Sequence, residues 1–251
     1  MERKPETIYR FESFNTLTLK NLVKSCIYFG SPKSFNDPYD CAINASIHPI
    51  SIGEVMQIKN SWLSDPKVPE HHKNEIVSYN NEELIGIFTQ IANNVINTKR
   101  DEYSETIGVV CFTENSEDAL MWAHYGDKYK GFCIEFDTKF ELFKKLRKVI
   151  YLDEMPLLNP LPFFVDDQAG QFADLYNIKF SAWSYEKEWR LIHKERDTSF
   201  HYPPEAVINI YIGPLMEEPY VEVLSLIVKN KYPHANIIRG QLSNTHFKVE
   251  F

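Results

Sequence analysis

The chain has 251 residues, with 27 Lys and Arg against 35 Asp and Glu for a net charge of -8, and is 43% hydrophobic, 25% charged and 14% aromatic. That length sits at the top of the single-domain range, and the composition excludes a disordered chain. The acidic balance gives no global support to a nonspecific grip on a nucleic-acid backbone, and no stretch stays apolar long enough to span a bilayer.

Met1 to Glu6 lacks the apolar run of a signal peptide, and Cys26, Cys41, Cys111 and Cys133 form no CxxC pair. The expectation is a cytoplasmic protein with reduced thiols and no membrane partner.

In chain order, Ile8 to Phe11 reads as a strand. Leu17 to Cys26 reads as a helix with Leu19, Leu22 and Val23 on one face and Thr16 or Thr18 as its cap, and Ile27 to Phe29 as a second strand. Asn36-Asp37-Pro38 is turn chemistry, because a residue before proline is pushed out of the helical region. Residues 51–105 are polar and helical, broken at Asp65-Pro66. Leu84, Ile87, Phe88, Ile91 and Val95 form one apolar stripe there.

Gly108 to Phe112 and Phe132 to Phe136 alternate as strands, flanking a short helix capped by Ser116 with Gly126 at its exit. Lys148 to Tyr151 is expected as a strand, and the prolines at 156, 160 and 162 forbid regular structure after it. Phe172, Leu175, Tyr176 and Lys179 are spaced for a helix. Glu188 to Ile192, Val207 to Ile212 and Phe247 to Phe251 are strand-like, and Pro219 to Val228 is a helix with Tyr220, Leu224, Ile227 and Val228 inward. Strands and helices do not alternate regularly. The fold class is therefore α+β, with twisted, mainly antiparallel sheets and flanking helices, read as one domain over 1–251 with a helical insertion at 51–105.

In Glu186-Lys187-Glu188-Trp189-Arg190-Leu191, a period of two sends Trp189 and Leu191 to the core. Glu186, Glu188 and Arg190 then line up on the opposite face. Paired carboxylates there suit acid, base or cation-stabilising work; the alternative is a solvated ion pair of little consequence. Met121-Trp122-Ala123-His124-Tyr125 crowds rings onto one short helix, where His124 or Tyr125 can face a cleft and stack on a base while Trp122 and Met121 anchor it. Arg10 alternates with Tyr9 and Phe11 and has the donor fork for a phosphate or an acid. The histidines show no ligand spacing, and GxGxxG, GxxxxGK[ST] and GxSxG are all missing, so no metal, dinucleotide-fold, P-loop or hydrolase motif is expected.

Taken in order, Ile8-Tyr9-Arg10-Phe11, Phe35-Asn36-Asp37-Pro38-Tyr39-Asp40, Cys111-Phe112-Thr113, Met121 to Gly126, Gly131-Phe132, Val149 to Tyr151, Lys179 and Trp183 to Leu191 resemble the bacterial family known as domain of unknown function 2971. More distantly, the opening strand, helix, strand unit resembles ADP-ribosyltransferase-type domains, which place an Arg on the first strand and a Glu-x-Glu on a later one. Here these are Arg10 and Glu186-Lys187-Glu188, with Ser31 and Ser34 as loose substitutes for a Ser-Thr-Ser motif.

That resemblance implies NAD as substrate and an ADP-ribosyltransferase or NAD hydrolase, serving as a bacterial toxin or phage-defence effector. The implied catalytic residues are Glu188, Glu186, Tyr125 and His124, and the implied nucleotide contacts are Arg10, Tyr9, Asn36, Asp37, Trp122, Arg190 and Lys179. Implied partners are a nucleotide ligand, a protein or nucleic-acid acceptor and a neutralising or regulatory protein. Two alternatives stand beside it: a non-catalytic nucleotide or nucleic-acid sensor using Arg10, Lys128 and Lys130, and a metal-dependent nuclease using Asp37, Asp40, Glu186 and Glu188 as oxygen ligands.

Overall fold

The computed structural model describes residues 3–42, 45–165 and 174–251, and the chain divides into two compact units. The first draws on the described parts of 1–34, 106–149 and 182–251, the second on those of 35–105 and 150–181. The α+β class is as expected from sequence.

The first unit is built on a seven-stranded sheet. Its order is Asn236–Arg239 (β13), Val207–Ile212 (β12), Phe132–Asp137 (β5), Thr7–Glu12 (β1), Gly108–Thr113 (β4), Glu188–His193 (β10) and Arg147–Lys148 (β6). Every neighbouring pair is antiparallel except β12 and β13, which are parallel and joined through the helix Glu218–Lys231 (α7). A parallel pair needs such a crossover, and α7 buries Leu224 and Val228 on the sheet's first face. Beside it, Thr16–Lys24 (α1) buries Leu22 into the same core, which holds Ile8, Val110, Phe112, Ile134, Phe136, Trp189 and Leu191.

Cys26–Phe29 (β2) pairs with Thr198–His201 (β11), and Gln241–Leu242 (β14) with Val249–Glu250 (β15). The sheet's second face carries Phe11, Cys133 and Tyr211, and is covered by Trp122 of Ala119–His124 (α5) together with Val249.

Several local expectations are corrected. The cap of α1 is Asn15, whose side chain accepts from the Thr18 N–H while Thr18 bonds back, so the box begins one residue before the expected threonine. Val23 and Tyr220, expected inward, are exposed. The cap of α5 is Asp118, not Ser116, because its carboxylate reaches the N–H groups of Leu120 and Met121. Phe247 is fully exposed, and only Val249–Glu250 of the final segment is strand.

After α5 the chain runs through three consecutive left-handed residues, Asp127 (φ 49°), Lys128 (φ 53°) and Tyr129 (φ 69°). Two glycines make that turn possible by close backbone approach. A Cβ on Gly131 would collide with the Glu12 carbonyl oxygen, and one on Gly213 with the Tyr129 carbonyl oxygen.

The second unit contains Ile52–Ser64 (α2), Glu70–Ser78 (α3) and Asn81–Thr106 (α4), so the 51–105 segment breaks at Asn80 as well as at Asp65-Pro66. The stripe on α4 buries Leu84 and Phe88 against Val55, Ile58 and Ile76. Pro162–Val165 (α6) adds Phe164, whose carbonyl accepts from the Trp62 indole N–H. Ser46–Ile47 (β3) pairs with Leu157–Leu158 (β8), and Ile150–Leu152 (β7) with Ile178–Phe180 (β9), both parallel. Lys179 therefore sits on a strand, not on the expected helix, of which Phe172 lies outside the described residues. Among the described residues no helix is long and apolar enough to cross a membrane.

Candidate functional site

Strand register assembles a polar row across the second face of the first unit's sheet. Glu188 pairs with Thr113, Thr113 with Tyr9, Tyr9 with Glu135, Glu135 with Asn209 and Asn209 with Asn236. Opposed residues on adjacent strands share a face, so these six side chains project the same way. At the centre, the buried Glu135 carboxylate accepts from the Tyr9 hydroxyl at 3.2 Å, the Tyr211 hydroxyl at 2.8 Å and the Asn209 amide at 2.5 Å. Burial, reinforced by that carboxylate, pushes the Tyr211 hydroxyl's pKa up, and burial likewise raises Tyr9.

At the β10 end, the Arg190 guanidinium donates to both oxygens of Glu188, Nε to Oε1 at 2.7 Å and Nη2 to Oε2 at 3.0 Å. Glu186 ends a 3-10 turn, Ser181–Glu186, and Lys187 takes a left-handed conformation (φ 44°) before β10 begins at Glu188. Register sets the face of Glu188, while Glu186 is placed by that kink and not by a continuous strand. The Tyr125 hydroxyl donates to Glu186 Oε1 at 2.7 Å, and the Glu186 carbonyl accepts from Thr113 Oγ1 at 2.6 Å.

The alternative, that Glu186, Glu188 and Arg190 form a solvated ion pair, is overturned: they are 2%, 3% and 0% exposed. The second face is as buried at this corner as the first, so charge here is matched inside the protein. Around it stand rings from two segments. His124, exposed, lies 6.1 Å from Trp183, which lies 6.1 Å from Tyr185, while Trp122 is fully buried edge-on to Phe11 at 4.9 Å. Trp122 is thus an anchor, its indole N–H bonded to the Ser116 carbonyl.

Arg10 does not join this group. Its guanidinium bonds Glu12 at 2.5 Å and lies 5.9 Å from the centre of the Phe112 ring, in the core of the first face. The register explains the failure: Tyr9, not Arg10, pairs with Thr113 and so aligns with Glu188. The sheet itself separates Arg10 from both glutamates. Asn36, Asp37 and Lys179 belong to the second unit. There the Asp37 carboxylate accepts from the Tyr39 N–H, and Lys179 pairs with Asp40 at 3.2 Å, both ends of that pair being buried.

Glu135, Asn209 and Tyr211 escaped the sequence reading. The available signal was one acid, Glu135, within the otherwise apolar Phe-Cys-Ile-Glu-Phe run of β5. Among the described residues, no three His, Cys, Asp or Glu side chains gather as metal ligands.

Residues 121–191 match the family described as protein of unknown function (DUF2971). The match runs from the first residues of α5 to Leu191 and so contains Tyr125, Glu135, Glu186, Glu188 and Arg190, while Tyr9 and Arg10 lie before it. No curated protein and no solved structure matches the chain.

Proposed function

We propose that the first unit binds a nucleotide of the NAD class on the second face of its sheet and breaks the bond between nicotinamide and ribose, as ADP-ribosyltransferase-like enzymes and NAD hydrolases do. One observation carries this reading: Glu186 and Glu188 are held at one corner of one face, the first by Tyr125 and the second by Arg190, beside the rings of His124, Trp183 and Tyr185.

When the C–N bond breaks, its electron pair leaves with nicotinamide and positive charge builds on the ribose. A fixed carboxylate lowers the energy of that oxocarbenium-like state, and Glu188 has this role. The acceptor, water or a nucleophile of a protein or nucleic acid, bonds to the sugar carbon and gives its proton to Glu186, through which Tyr125 acts as a positioning residue. His124 and Trp183 stack on the departing ring, and the polar row around Tyr9 and Glu135 meets the ribose hydroxyls. Arg10 takes no part. Consumption of cellular NAD would give such a protein a toxin or phage-defence role, kept in check by a neutralising partner.

The test is incubation of the full chain with NAD labelled in each half, scored for free nicotinamide and for label carried to protein or nucleic acid. Nicotinamide release that is lost in folded Glu188→Gln and Glu186→Gln variants is the expected result. A wild-type chain that neither binds NAD nor releases nicotinamide overturns the proposal. A second reading, a sensor that binds the nucleotide without cleaving it, is favoured by the engagement of both carboxylates with Tyr125 and Arg190. It predicts saturable binding with no nicotinamide release.

A further inference from the structure

The second unit holds a hollow of about 280 Å3 whose walls are mostly apolar. Three large side chains stand around it uncovered: Tyr39 is 59% exposed, Phe180 48% and Met155 36%. Leaving such groups in water forfeits the transfer free energy that burial would yield, so three around one concavity mark a binding surface. Two carboxylates, Asp153 and Glu154, also line it.

These groups are held in place. The Tyr39 N–H bonds the Asp37 carboxylate at 2.8 Å, and the next residue, Asp40, is tied to Lys179 on β9. Phe180 follows Lys179 and pairs in register with Leu152 of β7. Ser181, one residue further, donates its hydroxyl to Asp153, which fixes a carboxylate beside the Phe180 ring. Among the described lining residues the one cation is Lys179, only 3% exposed in its side chain and paired with Asp40 at 3.2 Å. Asp40 offsets its charge, so the charge that the described lining turns to solvent is that of Asp153 and Glu154, both exposed.

We infer that this hollow is a binding site for a small aromatic cation, with its ring between Tyr39 and Phe180 and its ammonium at Asp153 and Glu154. Ring faces and carboxylates both attract such a group. The volume lies just below the usual range for ligand pockets, which selects a single ring with a short amine arm over a larger molecule.

The experiment is saturation-transfer NMR on the full chain with phenethylammonium, using 2-phenylethanol and phenylacetate as neutral and anionic counterparts of similar size. Phenethylammonium should bind best and phenylacetate worst. The Asp153→Asn, Glu154→Gln double variant and, separately, Phe180→Ala should each weaken the cation by about tenfold or more. All three positions are exposed, so these variants should melt with the wild type. Phenylacetate binding as tightly as the cation would assign the site to anions through Lys179 and overturn the inference. So would equal binding of all three probes, binding of none, or cation binding that survives both variants.

Discussion

The guanidinium of Arg190 clasps the carboxylate of Glu188 with two hydrogen bonds from only two residues away on the same strand, and neither side chain is more than 3% exposed. Both charges have left water, and each makes the other tolerable. Glu188→Gln should therefore destabilise the first unit by about 1.5–3 kcal/mol, because it removes the buried negative charge that accepts two hydrogen bonds from Arg190. Replacing both residues, as in Glu188→Gln with Arg190→Met, should cost clearly less than the sum of the single changes. Urea unfolding of the four proteins measures this coupling. Additive costs would mean that the pair is not energetically coupled, and any loss of NAD turnover in Glu188→Gln must be normalised to its folded fraction.

The same pair shows what could be read from sequence. Alternation placed Trp189 and Leu191 in the core, because strand period is a local property. It could not show that the opposite face is covered too: α5 and Val249, which pack on Phe11, Cys133 and Tyr211 there, are distant in sequence from β10. Arg10 failed for a similar reason: its face relative to Tyr9 was legible, but only the pairing of β1 with β4 and β4 with β10 decides which of the two meets Glu188. Lys179 was misread because a short apolar run suits a helix or a strand equally well, and β9 exists through its pairing with β7. By contrast the breaks at Asp65-Pro66 and the apolar stripe of α4 were legible, since both follow from backbone and side-chain chemistry within a few residues.

Tyr125→Phe keeps the ring and removes the hydroxyl that donates to Glu186. A hydrogen bond to a buried carboxylate is worth about 1.5–3 kcal/mol, so the melting temperature should fall by several degrees. Under the proposed mechanism the change should also disturb proton acceptance by Glu186. The pH profile of nicotinamide release should then shift relative to wild type, a readout that a purely structural role would leave in place.

Alkaline pH should unfold the first unit through its tyrosines. Burial, the largest cause, raises the pKa values of Tyr202, Tyr232, Tyr211 and Tyr9 above the ordinary 10.0; Tyr202 also hydrogen-bonds Tyr232, and Tyr211 bonds Glu135. A raised folded-state value means that the native state holds its proton more tightly than the unfolded chain. The associated stability is complete below about pH 10 and is lost as pH climbs toward the folded values. The urea midpoint should thus stay level up to that point and then fall, with tyrosinate absorbance appearing alongside unfolding and not before it. Full ionisation of these tyrosines in a still-folded chain would contradict the placement of their hydroxyls. Tyr211→Phe should lessen the slope, since one of the raised groups is gone.

The turn from Asp127 to Tyr129 offers a test confined to the backbone. A left-handed conformation costs an L-residue with a side chain about 1–2 kcal/mol, and three in succession are tolerated because neighbouring groups hold them. The Tyr129 N–H bonds the Trp122 carbonyl, the Gly131 N–H bonds the Gly126 carbonyl, and the Tyr129 hydroxyl bonds the Ala119 carbonyl. This clamp begins at the end of α5, where Tyr125 leaves toward Glu186, so the strain is tied to the placement of the proposed positioning residue. Lys128 is exposed, and Lys128→Gly removes the steric penalty at a cost in unfolded-chain entropy, for a net gain of about 0.5–1 kcal/mol. Gly131→Ala should act in the opposite direction and lose more than 2 kcal/mol, because its Cβ would meet the Glu12 backbone. Equal melting temperatures for Lys128→Gly, Gly131→Ala and wild type would show that the turn is not held as described. If the turn positions Tyr125, Gly131→Ala should also lower nicotinamide release per folded molecule, whereas Lys128→Gly should leave it unchanged.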